Sequence, residues 1–360
     1  MAGVKRSRRS CLQYGWQGLG AMAIAAGWPS VAQALDRSRP TGLIAEPLPL
    51  LLRPRALKPG DTIALVAPAG PVTVADLKEG REWLQRQGFR VVLGRHIFNR
   101  DGYLAGRDRD RAADLNAAFA NPDVAAIICA RGGWGCARLL PFLDWDLARS
   151  NPKILLGFSD ITTLLLAYWV RSGLVTFHGP VIASRWNTFS TQAWQRVLVA
   201  GQAALLLNPP DMPHRTIHPG RARGPLVVAN LSVLAAAIGS RYLPNWDGVI
   251  LAIEEVEETV YRVDRLLAQL QLAGVLDRLA GFVFAQCTRC EGATAEQESL
   301  SLERAIDDWI RPLKIPSWQG MAIGHIPDKL TLPVGAIVEI DADYGSIRLL
   351  EPAVVVEKWR

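Results

Sequence analysis

Cysteine is scarce in this chain. Only Cys11, Cys129, Cys136, Cys287 and Cys290 occur in 360 residues, too few for a disulfide framework at this length. The Cys287-Thr-Arg-Cys290 spacing has no second Cys-x-x-Cys and no nearby histidine. It is therefore read as a pair of ordinary loop cysteines, open to a disulfide, rather than as a metal or redox centre. Long apolar runs are also missing: no segment has the unbroken length of a membrane helix. A concentrated excess of one charge is the third absence. The net charge is +6, but Lys5, Arg6, Arg8 and Arg9, with no acid among residues 1–34, supply four of those charges. The remaining chain is nearly balanced, whereas a nucleic-acid binder concentrates positive charge on one folded face. No nucleic-acid partner is expected.

What is present begins at the amino terminus. The basic stretch KRSRRS and the weakly apolar run GLGAMAIAAGW precede Ala32-Gln33-Ala34, the small-x-small pattern that a signal peptidase cleaves. Arg8-Arg9 within SRRSCLQ resembles a twin-arginine export address, and the apolar run, bounded by Gln17 and Pro29, is too short to span a bilayer. Residues 1–34 are thus expected to be an export signal delivering the protein to the periplasm, without stable membrane insertion. The alternative is a frayed basic tail on a cytoplasmic protein.

Residues 35–56, rich in proline and arginine, read as a linker. From there the pattern changes. TIALVAPAG reads as a buried strand closed by a turn, and VADLKEGREWLQRQG as an amphipathic helix with Ala75, Leu77, Trp83 and Leu84 near helical spacing. FRVVLG, VAAIICA, KILLGF and LVTFHGPV read as further strands; RDRDRAADLNAAFAN, CARLLPFLDWDLA and ITTLLLAYWVRSG read as helices between them. Such alternation predicts an α/β fold with a doubly wound parallel sheet over 57–207, its strands apolar throughout because both faces are covered. The proline cluster at 208–222 reads as an interdomain connection, and 223–360 as a second, smaller α/β domain with several strands and one or two helices.

Ser159 stands where the strand KILLGF meets the helix that follows, at the strand end where open α/β sheets place their sites. Gly157-Phe158-Ser159 starts like a nucleophile elbow, with Ile161 in place of the second glycine. An ordinary helix N-cap is an equally good reading of the same string. The turn Arg131-Gly132-Gly133-Trp134-Gly135 should emerge at the same sheet end, where its backbone N–H groups can converge on an anion; it lacks a P-loop's Lys-Ser/Thr tail and a dinucleotide fingerprint. For a base, His214 and His218 fall in the proline-rich connection, and composition does not choose between His178 and His325. The acids Glu254, Glu255, Glu257 and Glu258 close the strand GVILAI. That cluster is either a solvated strand end or a source of the acid that orients a base. A serine, acid, histidine order is one that hydrolase triads adopt.

Together, LKPGDTIALVAPAGPV (57–72), RDRDRAADLNAAFANPDVAAIICARGGWG, NPKILLGFSDITTLLLAYWVRSGLVTFHGP, LAIEEVEETVYRVDRLLAQL and MAIGHIPDKLTLPVG closely resemble the LD-carboxypeptidase family of serine peptidases, which includes the microcin C immunity peptidases. The resemblance runs through most of the chain. It implies a doubly wound N-terminal domain and a smaller C-terminal domain, meeting across a cleft and often dimeric, so a homodimer is expected. Ser159 matches the family nucleophile, Glu254 its acid, with Glu255 adjoining, and His325 its base. The backbone N–H groups of Asp160 and Gly133 match the oxyanion hole. Arg131 is a candidate reader of the substrate's terminal carboxylate, and Trp134 stands where the family often has tyrosine. The implied substrate is a murein tetrapeptide that loses a terminal D-amino acid, with no metal or organic cofactor. A peptidyl-nucleotide hydrolase and a non-catalytic muropeptide-binding protein are the alternatives.

Overall fold

The alternating hydrophobic pattern of the first half folds as strand and helix in turn: β1 (Thr62–Val66), α1 (Val74–Arg86), β2 (Arg90–Leu93), α2 (Asp108–Ala120), β3 (Val124–Cys129), α3 (Trp145–Ser150), β4 (Ile154–Gly157), α4 (Thr162–Ser172), β5 (Thr176–His178) and α5 (Thr188–Trp194). The computed structural model describes residues 51–290 and 299–356. The expected export signal, and all of the expected linker before residue 51, lie outside the described residues. Local signals set the helix ends. Thr73 and Asp76 form a reciprocal capping box at the start of α1, and Gly173, in the left-handed region, closes α4. CARLLPFLDWDLA, expected as one helix, is instead a 3-10 turn at 136–142 followed by α3. Pro141 removes a backbone donor, and Asp144 caps a new helix by accepting hydrogen bonds from the N–H groups of Asp146 and Leu147.

The second half contributes β6 (Leu205–Leu206), β7 (Arg215–His218), β8 (Arg221–Asn230), α6 (Leu231–Ala236), β9 (Val249–Val256), α7 (Val260–Leu272), β10 (Leu279–Thr288), α8 (Leu302–Ile310), β11 (Ser317–Gln319), β12 (Leu332–Val334), β13 (Ile337–Asp341) and β14 (Ser346–Leu349). The stretch read as an interdomain connection therefore carries β7 and the start of β8; its prolines flank β7 rather than interrupt it.

Two sheets result. The first has the order β12-β5-β4-β3-β1-β2, and the second β6-β14-β13-β8-β9-β10-β11-β7. Strands β1 to β5 run parallel, and β1, β4 and β5 are buried along their whole length, as a sheet covered on both faces requires. The middle of the second sheet, β8-β9-β10-β11, is also parallel, with antiparallel strands outside it. The apolar side chains of both sheets merge into one contiguous core. β12 lies far along the chain yet pairs antiparallel with β5 in the first sheet. The chain between β11 and β12, which holds His325, is consequently tied to one sheet at each end.

Arg111 is buried to 1% exposure on α2. Its guanidinium donates to the carbonyls of Pro68, Gly106 (3.1 Å) and Gly135 (3.2 Å) and to Asp108. One side chain thus staples the loop after β1 to the glycine-rich turn after β3. Losing it would take the donor from the Pro68 and Gly106 carbonyls, a large penalty away from water, whereas Asp108 would keep Arg138 and the Gly135 carbonyl the Arg138 N–H. Arg111→Leu is expected to lower stability by roughly 2–4 kcal/mol, read from the midpoint of urea unfolding; a change below about 0.5 kcal/mol would show that the staple is dispensable.

Candidate active site

Parallel strand ends deliver the first components. Ser159 follows β4 directly, with φ at 65°. This left-handed backbone costs a non-glycine residue on the order of 1–3 kcal/mol and persists only where the surroundings impose it. Ser159 does not cap α4; Ile161 precedes that helix, and no side chain caps it. Of the two readings of the string, the backbone has the sharp strand-to-helix turn of an elbow. The glycine-rich turn lies alongside. A β-carbon on Gly132 would fall 2.8 Å from the Ser159 β-carbon, so only glycine permits that approach. Asp160 fastens the two loops by accepting the Cys136 backbone N–H at 2.8 Å. Burial pushes the Asp160 carboxyl up, and this hydrogen bond partly offsets it.

The second sheet delivers the acid. Glu254, on β9, is fully buried. Two residues of β10, Ala285 and Gln286, stand opposite it where the register shifts between Phe284 and Cys287, a bulge of the kind that re-aims side chains beside sites. Glu254 Oε2 lies 2.8 Å from His325 Nδ1, and Oε1 accepts from Asn230 Nδ2 at 3.1 Å. Glu255 turns elsewhere. It accepts from the Ser232 N–H (2.7 Å), its neighbour's Val256 N–H (2.9 Å) and Asn230 Nδ2 (3.0 Å), while burial raises its pKa and the Glu254 charge adds to the rise. The structure therefore brings Glu254, not Glu255, to the histidine. Gly324 has φ at 109°, and a β-carbon there would fall 2.5 Å from Glu254 Oε2; glycine is what lets the His325 backbone come this close.

His325 completes the chain of contacts, its Nε2 standing 3.1 Å from Ser159 Oγ. With the carboxylate accepting from Nδ1–H, Nε2 is left unprotonated and faces the hydroxyl. Phe158 packs edge-on against the imidazole, ring centroids 4.9 Å apart. Lys329 lies 5.2 Å from the Phe158 centroid and donates to the Ile326 carbonyl; burial lowers its pKa. His178, the other candidate base, also packs against Phe158, ring centroids 6.0 Å apart. It is buried, its Nδ1 has no partner, and burial pushes its pKa down to about 3. The remaining histidines are engaged elsewhere: His96 with Asp114, His214 with the Asp343 carbonyl and His218 with the Pro219 carbonyl.

These groups open onto a cleft of about 800 Å³ lined by Ser159, His325, Arg131, Gly133, Asp160 and Trp134, with Leu140, Leu166, Val233 and Leu243 forming an apolar flank. Arg131 makes no hydrogen bond or ion pair with any described residue. Trp134 is 62% exposed, with Tyr103 edge-on at 6.1 Å. Cys287 and Cys290 are disulfide-bonded. Among the described residues, no group of three or more His, Cys, Asp or Glu is placed to hold a metal ion, and no helix is long and apolar enough to cross a membrane.

Sequence reasoning missed Asn230. Its side chain caps α6 through the Val233 N–H while donating to both glutamates, and its own N–H donates to Thr162 Oγ1 at 3.0 Å, linking β8 to the start of α4. An asparagine ahead of the apolar string LSVLAAA signals a cap; its second role has no local signature.

Two family models match the chain: the LD-carboxypeptidase N-terminal domain over residues 63–179 and the LD-carboxypeptidase C-terminal domain over 223–340. The murein tetrapeptide carboxypeptidase of Pseudomonas aeruginosa is 34% identical over 296 residues, covering 78% of this chain and 93% of that protein. The microcin C7 self-immunity protein of Escherichia coli is 28% identical over 343 residues, covering 86% and 98%. Among solved structures, this immunity protein in its wild-type apo state aligns with a TM-score of 0.78 at 27% identity, covering 84% of this chain and all of that one. Muramoyltetrapeptide carboxypeptidase from Oxalobacter formigenes aligns with a TM-score of 0.70 at 29% identity, covering 79% and 97%.

The buried His178 gives a prediction with a definite sign. Its folded pKa of about 3 lies below the unfolded value near 6.5, so the unfolded chain takes up the proton first. The stability due to the neutral ring is fully present above about pH 6.5 and is lost as pH falls towards 3, at up to about 1.4 kcal/mol per pH unit. The titratable groups near it, His325 and Lys329, both oppose placing a second positive charge there. In urea unfolding at pH 7 and pH 5, His178→Leu should lose less stability on acidification than the wild type. An identical loss in both proteins would exclude His178 as a source of acid sensitivity.

Proposed function

The chain belongs to the LD-carboxypeptidase family and is a serine-type carboxypeptidase, and from that premise we propose that it releases the terminal D-amino acid of murein tetrapeptides with Ser159, His325 and Glu254. The observation that carries the proposal is the continuous contact from Ser159 Oγ through His325 to Glu254 at the wall of the cleft.

In this mechanism His325 Nε2 takes the hydroxyl proton as Ser159 Oγ bonds to the amide carbon of the L-configured third residue. Glu254 stabilises the imidazolium that forms. The tetrahedral oxyanion is held by the backbone N–H groups of Gly133 and Asp160, each donor contributing ~3 kcal/mol in such sites. The C–N bond then breaks, His325 returns its proton to the departing amine, and water, deprotonated by the same histidine, hydrolyses the acyl ester. Arg131, a cleft guanidinium that makes no hydrogen bond or ion pair with any described residue, takes the terminal carboxylate, a planar fork meeting a planar acceptor. The amino-terminal signal supports export, which would place the enzyme beside the sacculus, and the assembly is taken to be a homodimer. A second reading, hydrolysis of a peptidyl nucleotide, is favoured by Trp134 on the cleft lining, whose exposed indole, with Tyr103 edge-on beside it, offers a face for a base.

Mass spectrometry of L-Ala-γ-D-Glu-meso-diaminopimelate-D-Ala is the test. The wild type is expected to release D-alanine, Ser159→Ala to lose the activity, and Glu254→Gln to fall by roughly 10³–10⁴ in kcat while staying folded. Equal release by the wild type and Ser159→Ala would remove Ser159 from the mechanism. Cleavage of aspartyl sulfamoyl adenosine with no release from the tetrapeptide would transfer the assignment to the second reading.

A further inference from the structure

Four non-glycine residues among those described have positive φ: Ser159, Glu257, Arg289 and Lys314. Three of them line the single cleft described above. Backbone strain of this kind concentrates where a side chain must be held for function. Ser159 is accounted for; Glu257 and Arg289 are not.

These two residues face each other just past the ends of β9 and β10. The Glu257 N–H donates to the Thr288 carbonyl at 2.9 Å, extending the ladder by one step, and Arg289 follows directly, between the bonded Cys287 and Cys290. Arg289 donates to Glu257 Oε1 through Nε (3.1 Å) and Nη2. Both side chains remain open to solvent, at 61% and 66% exposure. The neighbouring acids are otherwise occupied: Glu254 by His325, Glu255 by Asn230 and Ser232, and Glu258 by Arg262 at 2.9 Å. Besides Arg131, Arg289 is the other cation lining the cleft.

Resting on the proposed function, we propose that the Glu257–Arg289 pair is a specificity site for a zwitterionic side-chain terminus, one carbon bearing both an ammonium and a carboxylate, on the substrate residue whose carbonyl Ser159 attacks. An exposed ion pair of this sort holds itself together by only ~0–1 kcal/mol. Exchanging partners with an incoming ammonium and carboxylate therefore costs little and gives four charges in alternation. A side chain with the ammonium alone leaves Arg289 covered by substrate and still shared with Glu257, and unmatched charges in a covered site are the strongest source of discrimination. The site thus selects meso-diaminopimelate over lysine at the third position of the peptide.

The experiment compares kcat/KM for two tetrapeptides that differ only there, one with meso-diaminopimelate and one with L-lysine. The wild type is expected to favour the first by about tenfold or more, one charge-assisted hydrogen bond being worth that much. Arg289→Ala should bring the ratio close to one, and Arg289→Lys should restore part of it. Amidating the side-chain carboxyl of diaminopimelate should make that peptide behave like the lysine peptide. Cleavage of both peptides by the wild type without preference, or a preference that survives Arg289→Ala, overturns this site and leaves the proposed reaction standing. Cleavage of neither peptide overturns both.

Discussion

A carboxylate without water organises this molecule. Glu254 is fully buried, and an ionised group in such a place must be paired and hydrogen-bonded by the protein itself. One oxygen is met by His325 and the other by Asn230. Each of those partners imposes conditions of its own. His325 reaches the carboxylate because Gly324 has no side chain to collide with it, and because the segment between β11 and β12 crosses from one sheet to the other. Asn230 arrives at the end of β8, with its backbone bonded to Thr162 on the helix behind Ser159. Satisfying one carboxylate therefore ties β8, β9, the start of α4 and the segment that carries His325 together beside Ser159.

The first sheet supplies the opposite requirement, a polar group held ready rather than satisfied. The Ser159 backbone is in a costly conformation, and the surrounding loops carry many connections: Asp160 to Cys136, and Arg111 to the carbonyls of Pro68, Gly106 and Gly135. Arg111 and the Asp160 carboxyl act as struts that hold the glycine-rich turn beside the serine. The fully buried strands beneath, β1, β4 and β5, supply the rigidity against which a strained elbow can be held. The cleft above is polarised, with the Arg131 guanidinium hydrogen-bonded to no described residue, an exposed ion pair at Glu257 and Arg289, and apolar side chains from α4 and α6. That distribution suits a short peptide carrying charges at defined positions.

Much of this architecture was legible in the sequence because it is written in local patterns. Apolar strands and amphipathic helices alternate at the spacing of a parallel sheet, and every strand and helix expected between Thr62 and His178 occurs, apart from the helix that Pro141 and Asp144 divide. Among the described residues the second half holds three helices rather than the one or two expected. Of these, α8 carries a local signal that was passed over, a Ser301 cap and a buried stripe of Ala305, Ile306 and Ile310; the short strands that went unread lack such patterns. β11 and β12 are three residues long, and β7 hides among prolines; strands this short are made by their neighbours rather than by their own propensity. Ser159, Glu254 and His325 were named from long family-like strings, while their residue types and local strings left a helix cap, a solvated strand end and a second histidine as open alternatives.

By itself, the sequence determined the fold class, the order of the elements and the short list of polar residues able to do chemistry, because periodicity and capping act over a few residues. The tertiary structure decided between neighbours. Glu254 and Glu255 have the same side chain and adjacent positions, yet one faces His325 and the other the start of α6. His178 and His325 pack against the same phenylalanine, yet one is sealed in the core and the other opens onto the cleft. Asn230 reads locally as an ordinary cap, and it reaches Glu254 only when β8 and β9 pair and Thr162 only when α4 packs beside β8. The physical reason is common to all three: pairing, burial and hydrogen-bond satisfaction depend on which distant segment packs alongside, and no local string contains that information.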